Sequence, residues 1–339
     1  MGVIGLLRSY RLRLERRRRL LRAFRKRREL QKVVNRLQDL DKDEVILFCV
    51  LRNERIRLPY FLRYYRRMGV TRFVFVENGS VDGTREYLEA QNDVSLWTTT
   101  RSYKRAKFGV DWLNWLLNRY GSGHWCLSVD IDEFLVFPHC DTRPITALTH
   151  YLEQSSLRSF GTLLLDMYSH RPFERTSYGE GADPFKKLNY FDSGNYTMSR
   201  NAKYGNLWIQ GGPRQRVFFP DDPAKAPALN KIPLVNWKRG YVYVSSTHSL
   251  LPRGLNLVYD EWGGEKATGC LLHAKFLNIL RDKALEELER KEHYAGSREY
   301  KAYGQTIGAD TPLWTEQSQK YEGWRQLVET GLMSSGGWI

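Results

Sequence analysis

The chain has 339 residues, 42% of them apolar with ten Trp, and a formal net charge of +15. That length suits one large α/β domain with additions or two modest domains, and that composition excludes a disordered chain. The charge is local: residues 1–38 hold fourteen Arg and Lys against Glu15 and Glu29, which leaves the rest of the chain close to neutral.

No stretch approaches the roughly 18 consecutive apolar residues of a membrane span. The basic start never gives way to the apolar core of a signal peptide, and position six holds no Ser or Thr for a myristoylation signal. Cys49, Cys126, Cys140 and Cys270 match no zinc spacing. A reducing cytoplasm is the expected location.

Residues 5–37 read as one long basic helix, with Leu7, Tyr10, Leu14, Leu21 and Phe24 spaced for an apolar stripe. The acidic break from Leu40 to Glu44 sets the expected boundary between segment 1–40 and a body at 41–339. An Arg-rich face beside an apolar stripe suits an anionic membrane surface, at the inner face of the cell membrane. A coiled-coil stem or a disordered tail suits the same residues.

An α/β pattern then begins. Val45 to Leu51 is a buried strand, and Leu58, Phe61, Leu62, Tyr65 and Met68 predict a helix capped by Gly69. Phe73 to Val76 is a second buried strand, followed by a loop and a helix from about Thr84. Trp112, Trp115 and Leu116 mark a helix closed by Gly121. Trp125 to Val129 and Leu163 to Leu165 are further strands. Alternating strands and helices imply a mostly parallel, Rossmann-like sheet flanked by helices, whose ligands bind at the carboxyl ends of the strands. Residues 170–245 resist assignment, and 278–303 read as a charged helix.

Asp130-Ile131-Asp132-Glu133-Phe134 follows a buried strand directly, so it falls at that edge. If the chain stays extended, Asp130 and Asp132 share a face. Adjacent carboxylates repel unless a cation neutralises them, and hard oxygen ligands suit Mg²⁺ or Mn²⁺. Glu77 to Thr84 follows another buried strand. Turn and cap chemistry accounts for Gly79, Asp82 and Thr84, whereas Glu77 at a strand end suits a base or ribose. Arg214 and Arg216, placed on a strand, would face the same way and suit phosphate, with Gly211-Gly212 allowing close approach. Trp97, Trp208 and Trp237 are candidates for stacking on a sugar, against a core role. Asp166 ends a buried strand and is a candidate base or a cap.

These stretches resemble bacterial glycosyltransferases of the family 2 type with a GT-A fold. The resemblance rests on Arg52-Asn53-Glu54 at the end of the first strand, Glu77 to Thr84 where the family carries "DDGSTDGT", and the DxD at 130–132. Asp166 to Ser169, Gly211 to Phe218 and Leu271 to Phe276 extend it over about 44–330. It implies transfer from a nucleotide-diphosphate-sugar to a carbohydrate or lipid-linked acceptor hydroxyl, in cell-surface polysaccharide or glycolipid synthesis. An inverting in-line displacement is implied, with Mn²⁺ or Mg²⁺ on the donor diphosphate. The nucleotide-sugar half would span about 41–140 and the acceptor half about 141–339. On this likeness Asn53, Glu54, Glu77, Asp82, Asp130, Arg214, Arg216 and Lys275 serve the donor, and Asp130, Asp132 and His273 the metal. His248 rivals His273. A Glu-Asp pair is missing from the usual place of the base, which leaves Asp166 as the candidate. Two other classes compete: a metal-dependent nucleotidyl- or phosphotransferase, against which GxxxxGK[ST] is absent, and a nucleic-acid-binding protein, against which the near-neutral body argues.

Overall fold

The apolar runs become the centre of one sheet. The computed structural model describes residues 3–172, 178–260, 266–277, 279 and 312–339, so most of the helix expected at 278–303 lies outside the described residues. Strands β1 (Gln31–Val34), β2 (Val45–Leu51), β3 (Arg72–Glu77), β4 (Val94–Thr98), β5 (Trp125–Ser128), β6 (Glu133–Val136), β7 (Ser159–Asp166), β8 (Asn230–Asn236) and β9 (Thr268–His273) join in it. The order across the nine strands is β1-β4-β3-β2-β5-β8-β7-β9-β6. All but β1, β6 and β8 run the same way. The α/β class with a mostly parallel Rossmann-like sheet is therefore observed.

Burial on both faces follows from period-two alternation within continuous apolar strands. Val45, Leu47, Cys49 and Leu51 of β2 face one core. Helix α2 (Leu58–Arg67) supplies Leu58, Phe61, Leu62 and Tyr65 to that core. Ile46 and Phe48 face the other side, against Trp112, Leu116 and Leu117. Those three lie on α4 (Val110–Tyr120), which follows the short α3 (Thr84–Glu89). Gly121 caps α4, and a Cβ there would lie 2.5 Å from the Cys126 sulfur. Helix α5 (Ile145–Gln154) completes the first face. Trp97 and Trp237 are buried at 4% and 0% exposure, Trp97 against Tyr120 and Trp237 against Tyr241 and Tyr243, so they pack rather than line a surface. Trp208 is half-buried beside His248.

The N-terminal segment departs from expectation in two ways. Helix α1 ends at Lys26 rather than near 37, and β1 pairs antiparallel with β4 at the sheet edge. Val33 and Val34 favour an extended backbone, and Arg36 is fixed by its amide to the Ser95 hydroxyl and its guanidinium to the Val94 carbonyl. The segment is also docked on the body. Arg22 meets Asp111 of α4 at 2.6 Å, Glu29 accepts from the Trp112 indole at 3.0 Å, and Arg19 donates to the Val244 carbonyl at 2.9 Å. Among the described residues no helix is long and apolar enough to cross a membrane.

Candidate functional site

Sheet topology brings distant sequence to one edge. β7 and β9 run parallel and end in register, with Asp166 beside His273. β6 runs antiparallel to β9, so its first residue, Glu133, pairs with His273. β8 runs antiparallel to β5 and β7, which carries Lys231, near its start, to the same edge.

The acidic stretch after β5 does not stay extended. It turns, with the Glu133 amide donating to the Asp130 carbonyl at 3.0 Å and the Asp130 amide to the Glu133 carboxylate at 3.2 Å. Tyr65 holds the turn by donating its hydroxyl to the Glu133 carbonyl at 2.8 Å. Asp130 and Asp132 therefore part company instead of sharing a face. The Asp130 side chain is 55% exposed and lies 3.6 Å from Lys231. Asp132 points to His273, with Oδ2 3.4 Å from the imidazole Nε2.

His273 sits in a chain of three. Its Nδ1 is 2.7 Å from Asp166 Oδ1, and a carboxylate can only accept, so Nδ1 carries the hydrogen and Nε2 is turned to Asp132. Backbone bonds tie the same residues: Ala274 N to the Asp132 carbonyl at 2.8 Å and Met167 N to the His273 carbonyl at 3.1 Å. Burial alone would lower the basicity of His273, but Asp132 and Asp166 outweigh it and raise its pKa. Burial alone would raise Asp132, yet His273, Arg57 and Lys275 hold its carboxyl well below the usual range. Arg57 is itself buried and paired to Glu54 at 3.0 Å.

Asp166 has no oxygen to spare. Oδ2 meets Arg214 at 2.7 Å and Oδ1 meets His273, with the side chain 1% exposed. Arg214 and His273 hold its carboxyl below the ordinary value against the opposing effect of burial. A group so committed orients its neighbours and is poorly placed to take a proton from an acceptor. Arg214 and Arg216 do not share a strand face. They lie on α6 (Gly212–Phe218), where a spacing of two turns them apart by about 200°. Arg214 goes to Asp166, and Arg216 to Asp192 at 3.1 Å and the Leu313 carbonyl at 2.7 Å. The glycines before α6 serve backbone packing: Gly211 has φ +143°, and a Cβ there would lie 2.0 Å from the Asn195 carbonyl oxygen.

The loops after β2 and β3 are stitched to each other. Asn53, at φ +50°, accepts from the Val81 amide at 2.9 Å, and its own amide donates to the Ser80 hydroxyl at 3.0 Å. Asp82 accepts from the amides of Arg55 and Thr84, and Glu77 accepts from the amide of Ser80. These residues shape the strand-edge loops, with Glu54 and Glu77 buried at 7% and 3% exposure. His248 lies elsewhere, its Nδ1 2.6 Å from the Asn230 carbonyl. Burial together with nearby Lys231 and Arg214 pushes its pKa down to about 3, and that positive setting is hostile to a cation.

Sequence reasoning did not single out Arg57, Glu133 or Lys231. Lys231 is 4% exposed, 2.8 Å from Glu133, and that carboxylate with Asp130 raises its pKa against burial. The available signal was a lysine directly before the apolar run from Ile232 to Val235, at the start of a buried strand where an unpaired charge is too costly to survive.

Among the described residues no group of three or more His, Cys, Asp and Glu side chains is arranged to hold a metal by itself. Asp132 Oδ2 and His273 Nε2 do form a two-ligand bite. Their spacing of 3.4 Å suits neighbouring positions around one divalent ion, and the Asp166 bond behind His273 is the usual support of a ligating imidazole. Mg²⁺ and Mn²⁺ commonly take one or two protein ligands and complete their shells with phosphate and water.

No protein-family model and no curated protein matches the chain. Among solved structures it is similar to a Bacillus anthracis protein assigned as a glucose-1-phosphate thymidylyltransferase, in a complex with sucrose, at 6% identity and TM-score 0.25. That match covers 41% of this chain and 64% of the other. A second is 4-diphosphocytidyl-2C-methyl-D-erythritol synthase, at 12% identity, TM-score 0.26, and 81% and 94% coverage. TM-scores this low carry no argument about activity.

Proposed function

We propose that the chain is a metal-assisted glycosyltransferase that moves a sugar from a nucleotide-diphosphate-sugar to an acceptor hydroxyl, with inversion. The observation that carries this reading is the Asp132–His273–Asp166 chain at the carboxyl edge of the sheet, where such folds receive nucleotides. Asp132 and His273 would hold Mn²⁺ or Mg²⁺, which when bound would supply neutralising positive charge for a diphosphate.

The chain's own residues do the rest. Asp166 is a positioning residue that keeps the His273 Nδ1 hydrogen in place, and Arg214 in turn holds Asp166. Lys231 neutralises Glu133 and Asp130, which leaves Asp132 as the carboxylate directed at the cation. Asp130, the exposed member, faces the donor. Lys275, half-buried two residues after His273, presents positive charge to the same diphosphate. The stitched loops at Asn53 and Asp82 shape the nucleotide wall. The acceptor is a carbohydrate or a lipid-linked sugar.

The test is a panel of nucleotide-sugars with and without Mn²⁺, read as released nucleotide. Metal-dependent release of nucleoside diphosphate that disappears in Asp132→Asn supports the reading. Pyrophosphate release from a nucleoside triphosphate and a sugar phosphate assigns nucleotidyl transfer instead. Neither activity, from folded protein, overturns both.

A further inference from the structure

The helix α1 meets the body with the face opposite its apolar stripe. On a wheel of 3.6 residues per turn, Leu12, Glu15, Arg16, Arg19, Ala23 and Lys26 fall within about 100° and are buried or half-buried, flanked by half-buried Leu20 and Arg22. Leu7, Tyr10, Leu14, Leu21 and Phe24 fall within about 100° on the other side, with Leu14 half-buried and Phe24 meeting the Trp115 ring of α4 edge-on at 5.8 Å between centroids. Four of them are among the most exposed apolar side chains of the molecule, at 55% for Leu7, 60% for Tyr10, 49% for Leu21 and 47% for Phe24. The stripe runs for about 25 Å along the helix. Exposed arginines flank it, Arg11, Arg18 and Arg25 along one edge and Arg13 along the other, with Arg17 beside Tyr10.

An outward stripe of this kind needs an occupant. A second copy is a poor one, because apposed stripes would bring ten bordering arginines together with no acidic residue among them. A bare nucleic-acid backbone answers the arginines and leaves Leu7, Tyr10 and Leu21 in water. A bilayer surface rich in anionic phospholipid answers both, since its headgroups neutralise the borders while the stripe enters the acyl boundary.

We infer that α1 is a fixed membrane-surface anchor, whose outward apolar face lies in an anionic lipid leaflet while its inner face stays clamped to the body. The clamp is Arg22 on Asp111 and the Glu15 carboxylate between Arg19 and Lys203, so the bound helix carries the whole domain with it. This inference is independent of the transfer chemistry.

The experiment uses the full chain with vesicles of phosphatidylcholine alone and of equal parts phosphatidylcholine and phosphatidylglycerol. Binding to the mixed vesicles, weakened at least tenfold on neutral ones and by added salt, is the expected result. Leu7→Ser/Tyr10→Ser/Leu21→Ser should partition about tenfold or more weaker, and Arg11→Gln/Arg13→Gln/Arg17→Gln/Arg18→Gln about 100-fold or more weaker. Circular dichroism checks that both variants stay folded, because their substituted side chains point away from the body. No vesicle binding by the wild type, or binding indifferent to the serine variant, overturns the anchor. So does a dimer in solution that the serine variant abolishes, or vesicle binding exceeded by binding to duplex oligonucleotide at the same salt.

Discussion

Two clusters in this molecule are made of the same materials and behave differently. At the α1 seam, cations meet carboxylates in partial contact with water: Arg22 is 41% exposed against Asp111 at 6%, and Lys203 is 57% exposed against Glu15 at 21%. At the strand edge, Arg214 and Asp166 are 4% and 1% exposed, and Lys231 and Glu133 are 5% and 2%. Solvent screens the first set, and each pair contributes about 0–1 kcal/mol. In the second set each partner offsets the desolvation cost of the other, so removal of one strands the other. The seam is adjustable and the edge is rigid, as suits a device that attaches and a device that holds reacting groups.

The largest expected effect tests that contrast directly. Lys231→Met leaves Glu133 buried without its cation and should cost about 3–5 kcal/mol in denaturant unfolding. Lys231→Met/Glu133→Gln should recover most of that loss, because neither charge then remains. Arg22→Ala at the seam should cost about 1 kcal/mol or less. Equal costs for Lys231→Met and Arg22→Ala would erase the distinction between the two clusters.

Next in size is Asp132→Asn. It should reduce metal-dependent turnover of the donor by about 100-fold or more, at or beyond what loss of an outer-shell partner costs, while the protein stays folded by circular dichroism. His273→Ala should raise the Mn²⁺ concentration for half-maximal activity by about tenfold or more, a loss of roughly 1.4 kcal/mol.

Asp166→Asn separates positioning from proton transfer. As the residue that orients His273, Asp166 should change the Mn²⁺ requirement by about 10- to 100-fold, with turnover largely restored at saturating metal. A base would show the reverse pattern, with turnover lost at every metal concentration and an unchanged requirement. The pH profile sharpens this. Because the His273 pKa is raised, the stabilisation from its two carboxylates is full below the ordinary imidazole value near 6.5 and is lost as pH rises through the raised value. A cation must displace that proton, so apparent Mn²⁺ affinity should rise about tenfold per pH unit up to the raised value and then level off. Asp166→Asn should move the plateau to lower pH.

These residues also show what sequence could and could not supply. Continuous apolar runs such as Val45 to Leu51 bury on both faces whatever their neighbours, so β2, β3, β5 and the helices between them were legible locally. Asp130, Asp132 and His273 were legible because each follows such a run. Their partners were not. Lys231 reaches Glu133 only because β8 runs antiparallel between β5 and β7, and no local pattern states that pairing. The same holds for Arg214, whose two-residue spacing from Arg216 reads as a strand until Gly211 and Pro213 start a helix. The α1 stripe was legible as a stripe, but its direction depends on which side the body claims. Glu15, Arg19 and Arg22 decide that by contacts more than eighty residues away in sequence.

The smallest predicted effect concerns that claim. Burial alone would raise the Glu15 carboxyl, but hydrogen bonds from Lys203, Arg19 and Tyr204 bring it from 4.5 to about 2. A carboxyl with a lowered folded value stabilises the docked state above its ordinary pKa, and the contribution is lost as pH falls from 4.5 towards 2. Glu15 is half-buried and its partner Lys203 is exposed, so solvent screening leaves only about 1 kcal/mol of the shift. That suffices to loosen a seam without unfolding the sheet. Amide exchange along α1 should therefore accelerate between pH 4.5 and 2, after correction for intrinsic rates, while exchange in β2 and β3 stays slow. Glu15→Gln should show the faster α1 exchange already at neutral pH, with no further acid-driven change. If α1 and β2 loosen together over that range, the seam is not an independent unit, and the helix is as integral to the fold as the strand edge.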